Sequence, residues 1–264
     1  MLQNMELGIC SWFGYKYPHE ERIKLIKDVG FQSVMTWWGE GSKEGNEVSE
    51  TKPEIIRKYG LKIENAHFSF AGINSIWEDT IEGENFLKKY FLYIDDCKKF
   101  EIPTAVMHLT SGLVTPPFGQ VGLNRFKQLV EKAEKAGITI ALENVRKFEY
   151  LDFLFSNIKS DKLKYCYDCG HENCFTPGID YLSKYGDKLI ALHLHDNDGT
   201  GDQHKLPFSG TVNWEKVIKK IKELNYQGAL SLEVDAQYSN VIDEYTAESF
   251  LQEAKNRACK LMNM

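Results

Sequence analysis

The sequence lacks a long apolar segment. Its uninterrupted aliphatic runs are short, as in residues 189–192, whereas a membrane-spanning helix needs roughly 20 apolar residues. Residues 1–7 also lack a basic stretch followed by an apolar one, so the sequence predicts no secretory signal. We therefore expect a cytoplasmic protein that has no membrane partner.

Paired cysteine motifs are also scarce. The chain has 6 cysteines, which we expect to be reduced thiols in a protein without a secretory signal. Cys166 and Cys169 form one C-x-x-C, but no second pair is present to complete a zinc site. We expect this pair to be structural.

Basic residues are in the minority. The chain has 32 Lys and Arg against 38 Asp and Glu, a net charge of -6. An acidic protein is poorly suited to binding a phosphate backbone. We therefore do not expect nucleic acid as a partner.

What the sequence does contain is a regular alternation of strand and helix patterns. Runs rich in apolar and β-branched residues predict strands, and segments with a period near 3.6 predict helices. The predicted strands are residues 7–12, 33–37, 62–67, 104–108, 138–143, 164–168, 189–195 and 229–234. The predicted helices are residues 19–29, 85–100, 121–136, 214–224 and 247–261.

Eight strands, each followed by a helix or helical turn, predict a (β/α)₈ barrel. The alternative is an open doubly wound sheet, which would usually carry a Gly-rich phosphate loop after an early strand. The chain contains no G-x-G-x-x-G and no G-x-x-x-x-G-K-[ST]. We expect a single barrel domain over residues 1–264.

Histidines and carboxylates concentrate at the ends of the predicted strands. They come at or just after strands three to eight, where the sequence places His67, His108, Glu143, Asp168, His171, His193, His195, Asp202, His204 and Glu233. In a barrel, the carboxyl ends of all strands meet on one face. These residues should therefore meet in one cup, whereas His19 precedes a helix and is expected at the surface.

A bare cluster of carboxylates would be costly through repulsion and desolvation, and a divalent cation removes that cost. Carboxylate and imidazole ligands together suit Zn²⁺ or Mn²⁺, with Mg²⁺ or Co²⁺ as alternatives. The sequence predicts a divalent metal site at this face. His193 and His195 are two residues apart and face the same side of their strand, so spacing leaves open which one binds the primary metal.

On these motifs the chain resembles the xylose isomerase-like barrel superfamily, over nearly its whole length. The most specific segments are A-L-E-N at residues 141–144, Y-D-C-G-H at 167–171, H-L-H-D-N-D-G at 193–199 with D-x-H at 202–204, and L-E at 232–233. The superfamily contains sugar isomerases, ketose 3-epimerases, inosose dehydratases and nucleases that act at abasic sites in DNA.

The sugar branch implies one metal held by Glu143, Asp168, His195 (or His193) and Glu233. It also implies that Glu143 and Glu233 exchange a substrate proton and that His171 and Glu149 contact the sugar. The position where this branch usually has a substrate-binding Arg is Gly201 here.

The nuclease branch implies three zinc ions, and suitable residues occupy all of its nine ligand positions: His67, His108, Glu143, Asp168, His171, His193, Asp202, His204 and Glu233. Against this branch, the flanking segments lack the Lys and Arg runs of a DNA groove. We expect a second metal-binding group of His193, Asp202 and His204, distinct from the one around Glu143 and Glu233.

Trp12 and Trp37 end the first two predicted strands and are candidates to contact the faces of a sugar. Together these features predict a metal-dependent sugar isomerase or epimerase with a small sugar, phosphorylated or not, as substrate. An abasic-site nuclease is the alternative, and a dehydratase or non-catalytic relative remains possible on the same fold. The oligomeric state, a homo-oligomer included, is left open.

Overall fold

The chain alternates strands and helices in the computed structural model, which describes residues 5–40 and 47–264. The strands are β1 (Leu7–Cys10), β2 (Ser33–Trp38), β3 (Lys62–Phe68), β4 (Thr104–Met107), β5 (Thr139–Glu143), β6 (Leu163–Asp168), β7 (Leu189–His193) and β8 (Leu230–Leu232). The helices are α1 (His19–Val29), α2 (Lys52–Lys58), α3 (Ile81–Lys99), α4 (Gln120–Ala136), α5 (Phe148–Asn157), α6 (Cys169–Phe175), α7 (Tyr181–Tyr185), α8 (Trp214–Glu223) and α9 (Ala247–Met262).

The eight strands form one parallel sheet in the order β7-β6-β5-β4-β3-β2-β1-β8. The two ends of this sheet meet through Leu194, just beyond β7, which bridges to Leu232 in parallel. The Leu194 N–H donates to the Ser231 carbonyl at 3.0 Å, and the Glu233 N–H donates to the Leu194 carbonyl at 3.0 Å. These bonds close the sheet, which confirms the predicted (β/α)₈ barrel.

Amphipathic helices cover the outside of the barrel. In α8 the buried side chains are Trp214, Val217, Ile218 and Ile221, whose spacing of three or four residues forms one helix face. Strand and helix side chains share the largest apolar cluster. The helices therefore shield the barrel on its outer side and leave its carboxyl-terminal mouth for functional residues.

The amino-terminal end of the barrel interior is polar. Glu64 on β3 accepts a hydrogen bond from the Ser33 hydroxyl at 2.7 Å. Gly8 on β1 makes room for this carboxyl group, because a Cβ there would lie 1.7 Å from Glu64 Oε1. The glycine is needed here for close approach rather than for a turn.

Several elements differ from the sequence-based expectation. The short helices α2, α5, α6 and α7 were not delimited by the helical patterns, and β8 is three residues long, shorter than expected. His19 was expected at the surface, but it is 6 % exposed at the start of α1. The expectation was wrong because His19 packs beside Arg22 and lies 3.8 Å from a Glu47 oxygen.

In the described segments, no helix combines the length and apolarity that crossing a membrane requires.

Candidate metal centre at the mouth of the barrel

The strand-end histidines and carboxylates do meet at one end of the barrel. Glu143, Asp168 and His193 are the last residues of β5, β6 and β7, and Glu233 directly follows β8. His67 lies near the end of β3. The other members of the set sit in the segments that follow strands β4, β6 and β7: His108, His171, His195, Asp202 and His204. The barrel geometry thus brings the ten predicted metal-ligand candidates to its carboxyl-terminal face.

Four of these residues form the most complete group of possible metal ligands. One ligand atom each from Glu143, Asp168, His193 and Glu233 lies within 4.8 Å of all the others, and all four side chains are buried. His193 Nδ1 is 3.2 Å from a Glu143 oxygen and 3.1 Å from a Glu233 oxygen. Three carboxylates and one imidazole suit Zn²⁺ or Mn²⁺.

A second group shares Glu143 with the first. His67, His108 and Glu143 also offer ligand atoms within 4.8 Å of one another. His67 Nε2 lies 3.1 Å from one Glu143 oxygen, and His108 Nε2 lies 3.5 Å from the other. Glu143 therefore stands between two groups, as a bridging carboxylate would.

A third set surrounds Asp202. Its carboxylate oxygens lie 3.3 Å from His171 Nε2 and 3.3 Å from His204 Nε2. His204 also joins His195 and Glu233 in a further group with ligand atoms within 4.8 Å. Asp202 thus lies close to His204, as predicted. The other histidine at 3.3 Å from its carboxylate is His171.

The structure separates the two histidines that spacing alone could not. His193 lies with Glu143 and Glu233, whereas His195 Nε2 faces Asp168, at 3.1 Å from one of its oxygens. This arrangement differs from the sequence analysis, which grouped His193 with Asp202 and His204. The strand ends at His193, so His195 points to a different part of the mouth.

Neighbouring loops hold these side chains in place. The Asp168 carboxylate caps α6 by accepting a hydrogen bond from the His171 N–H at 2.7 Å. Asn144 donates to the Asp168 carbonyl at 2.7 Å, and its own carbonyl lies 2.9 Å from His171 Nδ1. The His204 Nδ1 atom lies 2.8 Å from the Glu233 carbonyl, which leaves Nε2 directed at Asp202. Such contacts orient imidazoles in metal sites.

Asp196 organises the loop rather than the candidate site. Its carboxylate accepts hydrogen bonds from the Trp214 indole at 3.0 Å and from the Val212 N–H at 3.1 Å. Asp196 also pairs with Lys205 in an antiparallel bridge. The segment between β7 and α8 is therefore a fixed hairpin that presents Asp202 and His204 to the mouth.

Buried charges in the cluster balance one another. Burial disfavours a charged Glu143, but His108 and His193 outweigh it and hold the pKa of this carboxyl well below its usual value. Burial also disfavours a charged His193, yet Cys166 and Glu233 raise the pKa of its imidazole well above the usual value. At His108 burial prevails, and its pKa falls to about 4.

The same balance holds around Asp202. Burial opposes the charge on His171, but Asp168 and Asp202 raise the pKa of this imidazole well above its usual value. Burial opposes ionisation of Asp202, and His204 and His171 overcome it, so the pKa of this carboxyl lies well below its usual value. The carboxylates require nearby positive charge, which either protonated imidazoles or metal ions can supply.

Several buried polar atoms at the mouth lack hydrogen bonds from the described residues. They include both ring nitrogens of His193, Oε1 of Glu143 and Oδ1 of Asp202. Buried polar atoms without partners are rare and need a physical reason. Because His193 Nδ1, Glu143 Oε1 and Asp202 Oδ1 also lie within ion-pair distance of other candidate ligands, the donor set fits divalent metal ions.

A cavity of about 340 Å³, here called the cup, opens onto this cluster. Its walls are Trp37, Phe70, His108, Glu143, Arg146, His171, Asp202, His204, Glu233 and Tyr238. This volume falls within the range of small-molecule sites, roughly 300–1,000 Å³. Arg146, Phe70 and Tyr238 were not singled out from the sequence, because they lie on loops whose course the strand pattern does not specify.

The predicted substrate-binding residues occupy different places. Trp37 lines the cup and packs on His67, with ring centroids 4.2 Å apart. Trp12 is not among the cup's walls, and its indole donates to Asp235 at 2.9 Å. Glu149 is exposed near the start of α5 and lines a neighbouring cavity rather than the cup.

Both C-x-x-C cysteines are buried, and the Cys166 thiol lies beside the candidate site, where Glu143, Cys166 and His193 offer ligand atoms within 4.8 Å of one another. Cys166 lies on β6 and Cys169 opens α6, where its thiol donates to the His195 carbonyl at 3.2 Å. Burial raises the pKa of the Cys166 thiol to about 12. A thiol so difficult to ionise is a poor nucleophile, which agrees with a structural role.

Known proteins are similar to this chain in sequence and in fold. The family model described as "Xylose isomerase-like TIM barrel" matches residues 23–254. Fructoselysine 3-epimerase of Escherichia coli O157:H7 is 28 % identical to this chain, and the match covers 89 % of this chain and 92 % of the epimerase.

Two solved structures share the fold at low sequence identity. An L-ribulose 3-epimerase has a TM-score of 0.78 and 14 % identity, and the match covers 98 % of this chain and 95 % of the epimerase. The protein IolI, solved with a bound zinc atom, has a TM-score of 0.78 and 16 % identity, with 98 % of each chain covered.

Proposed function

Because the chain belongs to the xylose isomerase-like TIM barrel family, we propose that it is a divalent-metal-dependent sugar isomerase or epimerase. The observation that carries this proposal is the convergence of Glu143, Asp168, His193 and Glu233 within 4.8 Å beside the cup. The similarity to fructoselysine 3-epimerase over most of both chains supports a sugar as substrate.

The residues that would hold the primary metal are Glu143, Asp168, His193 and Glu233. Zn²⁺ or Mn²⁺ suits this donor set best. A divalent ion held by these residues would supply Lewis-acid chemistry that makes the sugar's carbonyl group more reactive.

The chain's own residues would then move the proton. The hydrogen next to a carbonyl is too weakly acidic to leave unaided, so a positioned carboxylate must accept it and another acid must return a proton. Glu143 and Glu233 both line the cup. We assign the two glutamates as this pair, with His171 orienting the sugar's hydroxyl groups and Trp37 packing against its carbon atoms.

The test uses Glu233→Gln, which keeps the side chain's size and removes its charge. We expect turnover to fall by about 10²–10⁴, the usual contribution of a general acid or base. The assay is deuterium uptake from D₂O at the carbon next to the carbonyl, followed by NMR on D-fructose, D-fructose 6-phosphate and fructoselysine. Metal content measured on the same sample separates loss of the ion from loss of the base.

The matched control is Glu215→Gln, because Glu215 is exposed in the first turn of α8. This variant should retain wild-type rates. A folded Glu233→Gln protein with wild-type deuterium uptake on a sugar that the enzyme turns over would refute the assigned role.

The alternative function, a zinc phosphodiesterase acting at abasic sites, has one specific observation in its favour. Besides the four-ligand group, two further groups bring possible metal ligands within 4.8 Å of one another, as a centre with several ions would need: His67 with His108 and Glu143, and His195 with His204 and Glu233. The net charge of -6 speaks against a DNA partner.

A cleavage assay on duplex DNA with one abasic site, with added Zn²⁺ or Mn²⁺, decides between the two functions. We expect no incision by the sugar enzyme. Cleavage that EDTA stops and that Glu233→Gln abolishes would establish the phosphodiesterase instead. Elemental analysis adds a second readout, since one ion per chain favours the sugar enzyme and three favour the nuclease-like centre.

A further inference from the structure

A second cavity, of about 900 Å³, lies next to the cup and is here called the rim cavity. Its walls come from the segments that follow β4, β5 and β6. Arg146 lines both the cup and the rim cavity, so the two spaces adjoin at this side chain. A molecule bound in the cup can therefore extend past Arg146.

The walls of the rim cavity are largely apolar. The apolar members are Pro117, Phe118, Phe148, Phe175, Pro177 and Ile179. Sites for small organic ligands typically combine such walls with a few charged groups that fix the ligand's orientation. Here the charged groups are Arg146, Lys147 and Glu149.

Arg146 has unused hydrogen-bonding capacity. Its guanidinium group packs over the Phe175 ring, 4.4 Å from the centroid. In residues 5–40 and 47–264 it has neither a hydrogen bond nor an ion pair, although arginine carries five N–H donors. An arginine stacked on an aromatic ring keeps its edge available for a carboxylate or phosphate.

Lys147 supplies a second cation in the same wall. Its ammonium group donates to Thr115 Oγ1 at 2.9 Å, and the Tyr150 hydroxyl donates to the same oxygen at 2.9 Å. These bonds tie the segment after β4 to the start of α5. Two cations against the single carboxylate of Glu149 leave the rim cavity with a net positive lining.

The cup has the opposite character. Three carboxyl groups line it, those of Glu143, Asp202 and Glu233, whereas Glu149 supplies the one carboxyl group among the walls of the rim cavity. A ligand with an anionic end would therefore place that end at Arg146 and its uncharged carbonyl end in the cup.

We propose that Arg146, assisted by Lys147, binds an anionic group, either a phosphate ester or a carboxylate, carried by the sugar substrate at the end remote from its carbonyl. This inference rests on the proposed sugar isomerase or epimerase function and specifies its substrate class. Charge-assisted hydrogen bonds from a planar guanidinium group supply both affinity and orientation.

The experiment measures binding by calorimetry to the metal-loaded protein, without reference to turnover. The ligands are D-fructose, D-fructose 6-phosphate and fructoselysine, which are respectively neutral, phosphorylated and carboxylate-bearing. We expect at least one charged ligand to bind about tenfold or more tightly than fructose. The charged ligand that is preferred identifies phosphate or carboxylate as the recognised group.

Arg146→Ala should reduce this preference by about tenfold or more, since a hydrogen bond to a charged group is worth about 1.5–3 kcal/mol and 1.4 kcal/mol corresponds to tenfold. The matched control is Lys219→Ala, which removes one positive charge from an exposed position on α8. This control should keep the full preference.

Three outcomes would overturn the inference: no preference for either charged ligand, a preference that survives Arg146→Ala and so comes from the metal, or an equal loss for neutral and charged ligands. The outcomes that refute the proposed function differ from those that refute this inference. Turnover of neutral sugars without anion preference refutes only the inference, whereas an Arg146-dependent preference without turnover of any sugar refutes only the function.

Discussion

Glu64 is an ionisable residue inside the barrel, at the end opposite the cup. It is partly buried near the start of β3 and lines a cavity at the amino-terminal end. Burial raises its pKa from 4.5 to about 7, although hydrogen bonds from Ser33 and Ser231 act in the opposite direction. Folding therefore favours the neutral form of this carboxyl group.

This shift predicts that Glu64→Gln stabilises the protein at high pH. The folded-state pKa is the higher one, so the wild type is most stable below the unfolded pKa and loses stability as pH rises through about 7. The free energy of unfolding of the variant should be similar to that of the wild type near pH 5. At pH 8.5 it should be higher by about 1–3 kcal/mol, since one pKa unit corresponds to about 1.4 kcal/mol. Urea unfolding at both pH values measures the difference.

Glu131→Gln serves as the control, because Glu131 is exposed in the middle of α4. The difference in free energy of unfolding between Glu131→Gln and the wild type should be the same at both pH values. If Glu64→Gln likewise shows no change with pH, the buried carboxyl group is not destabilising when charged.

The individual site residues differ in how far sequence could predict them. Strand ends are visible in a sequence, and this made Glu143, Asp168 and Glu233 predictable as a converging set. His193 and His195 share a strand face by spacing, but the strand ends at His193, so only the three-dimensional structure separates them. Arg146 lies on a loop without any periodic pattern, and its place between two cavities depends on tertiary packing.

The element that holds this part of the site together is α6, a helix of seven residues. Gly170 in its first turn packs against the His195 ring, where an added Cβ would lie 2.0 Å from Cε1. The same helix is capped by Asp168 and carries His171. Its close approach to the segment that follows β7 thus sets the position of His195 against Asp168.

Gly170→Ala should therefore disturb this contact. We expect a loss of about 1–3 kcal/mol in the free energy of unfolding, the usual cost of overpacking a buried site. The measurement is urea unfolding in EDTA, so that metal binding does not contribute. Gly201→Ala is the control, because its added Cβ would meet no atom within 4 Å. Equal stability of Gly170→Ala and the wild type would show that the His195 ring moves aside freely.

Short helices are also the elements that sequence patterns delimited least well. In α5 the buried residues Tyr150, Leu151, Leu154 and Phe155 are flanked by the partly buried Phe148 and Phe153, so apolar residues surround much of the helix. The alternation of apolar and polar residues that identifies an amphipathic helix is therefore weak in α5. The bounds of α1, α4, α8 and α9 were predicted to within a residue, whereas α3 begins four residues before its predicted start.

At the scale of the whole molecule, the barrel closes at the candidate site itself. The neighbouring pairs β4–β5 and β6–β7 each align four residue pairs, whereas β7 and β8 join through Leu194 alone. His193 and Glu233 flank this seam, and their side chains lie 3.1 Å apart. A metal bound by both would bridge the two ends of the sheet.

We therefore expect metal removal to loosen the seam. In hydrogen–deuterium exchange, amides of residues 189–195 and 230–235 should exchange faster in EDTA than with Zn²⁺, by up to about 100-fold at a free metal concentration a hundred times Kd. Peptides covering α3 and α4, which carry no metal-ligand candidate and lie away from the seam, are the internal reference. Identical exchange of the seam with and without Zn²⁺ would contradict the bridging role.

The overall fold was the most predictable feature. Eight strand patterns separated by helical ones left few arrangements besides a barrel, and the structure confirms it. Closure through Leu194 was not visible in the sequence, since a single bridging residue has no pattern. The span of one domain over residues 1–264, the number of metal ions, the cytoplasmic location and the oligomeric state stay predictions.

The closing seam also affects the order of events during synthesis. Chains fold from their amino-terminal end as they leave the ribosome, and the four-ligand group draws on β5, β6, β7 and the residue after β8. Until Glu233 has emerged, the growing chain offers only part of this group and an unclosed sheet. An ion held by all four ligands would therefore be captured only after β8 has arrived.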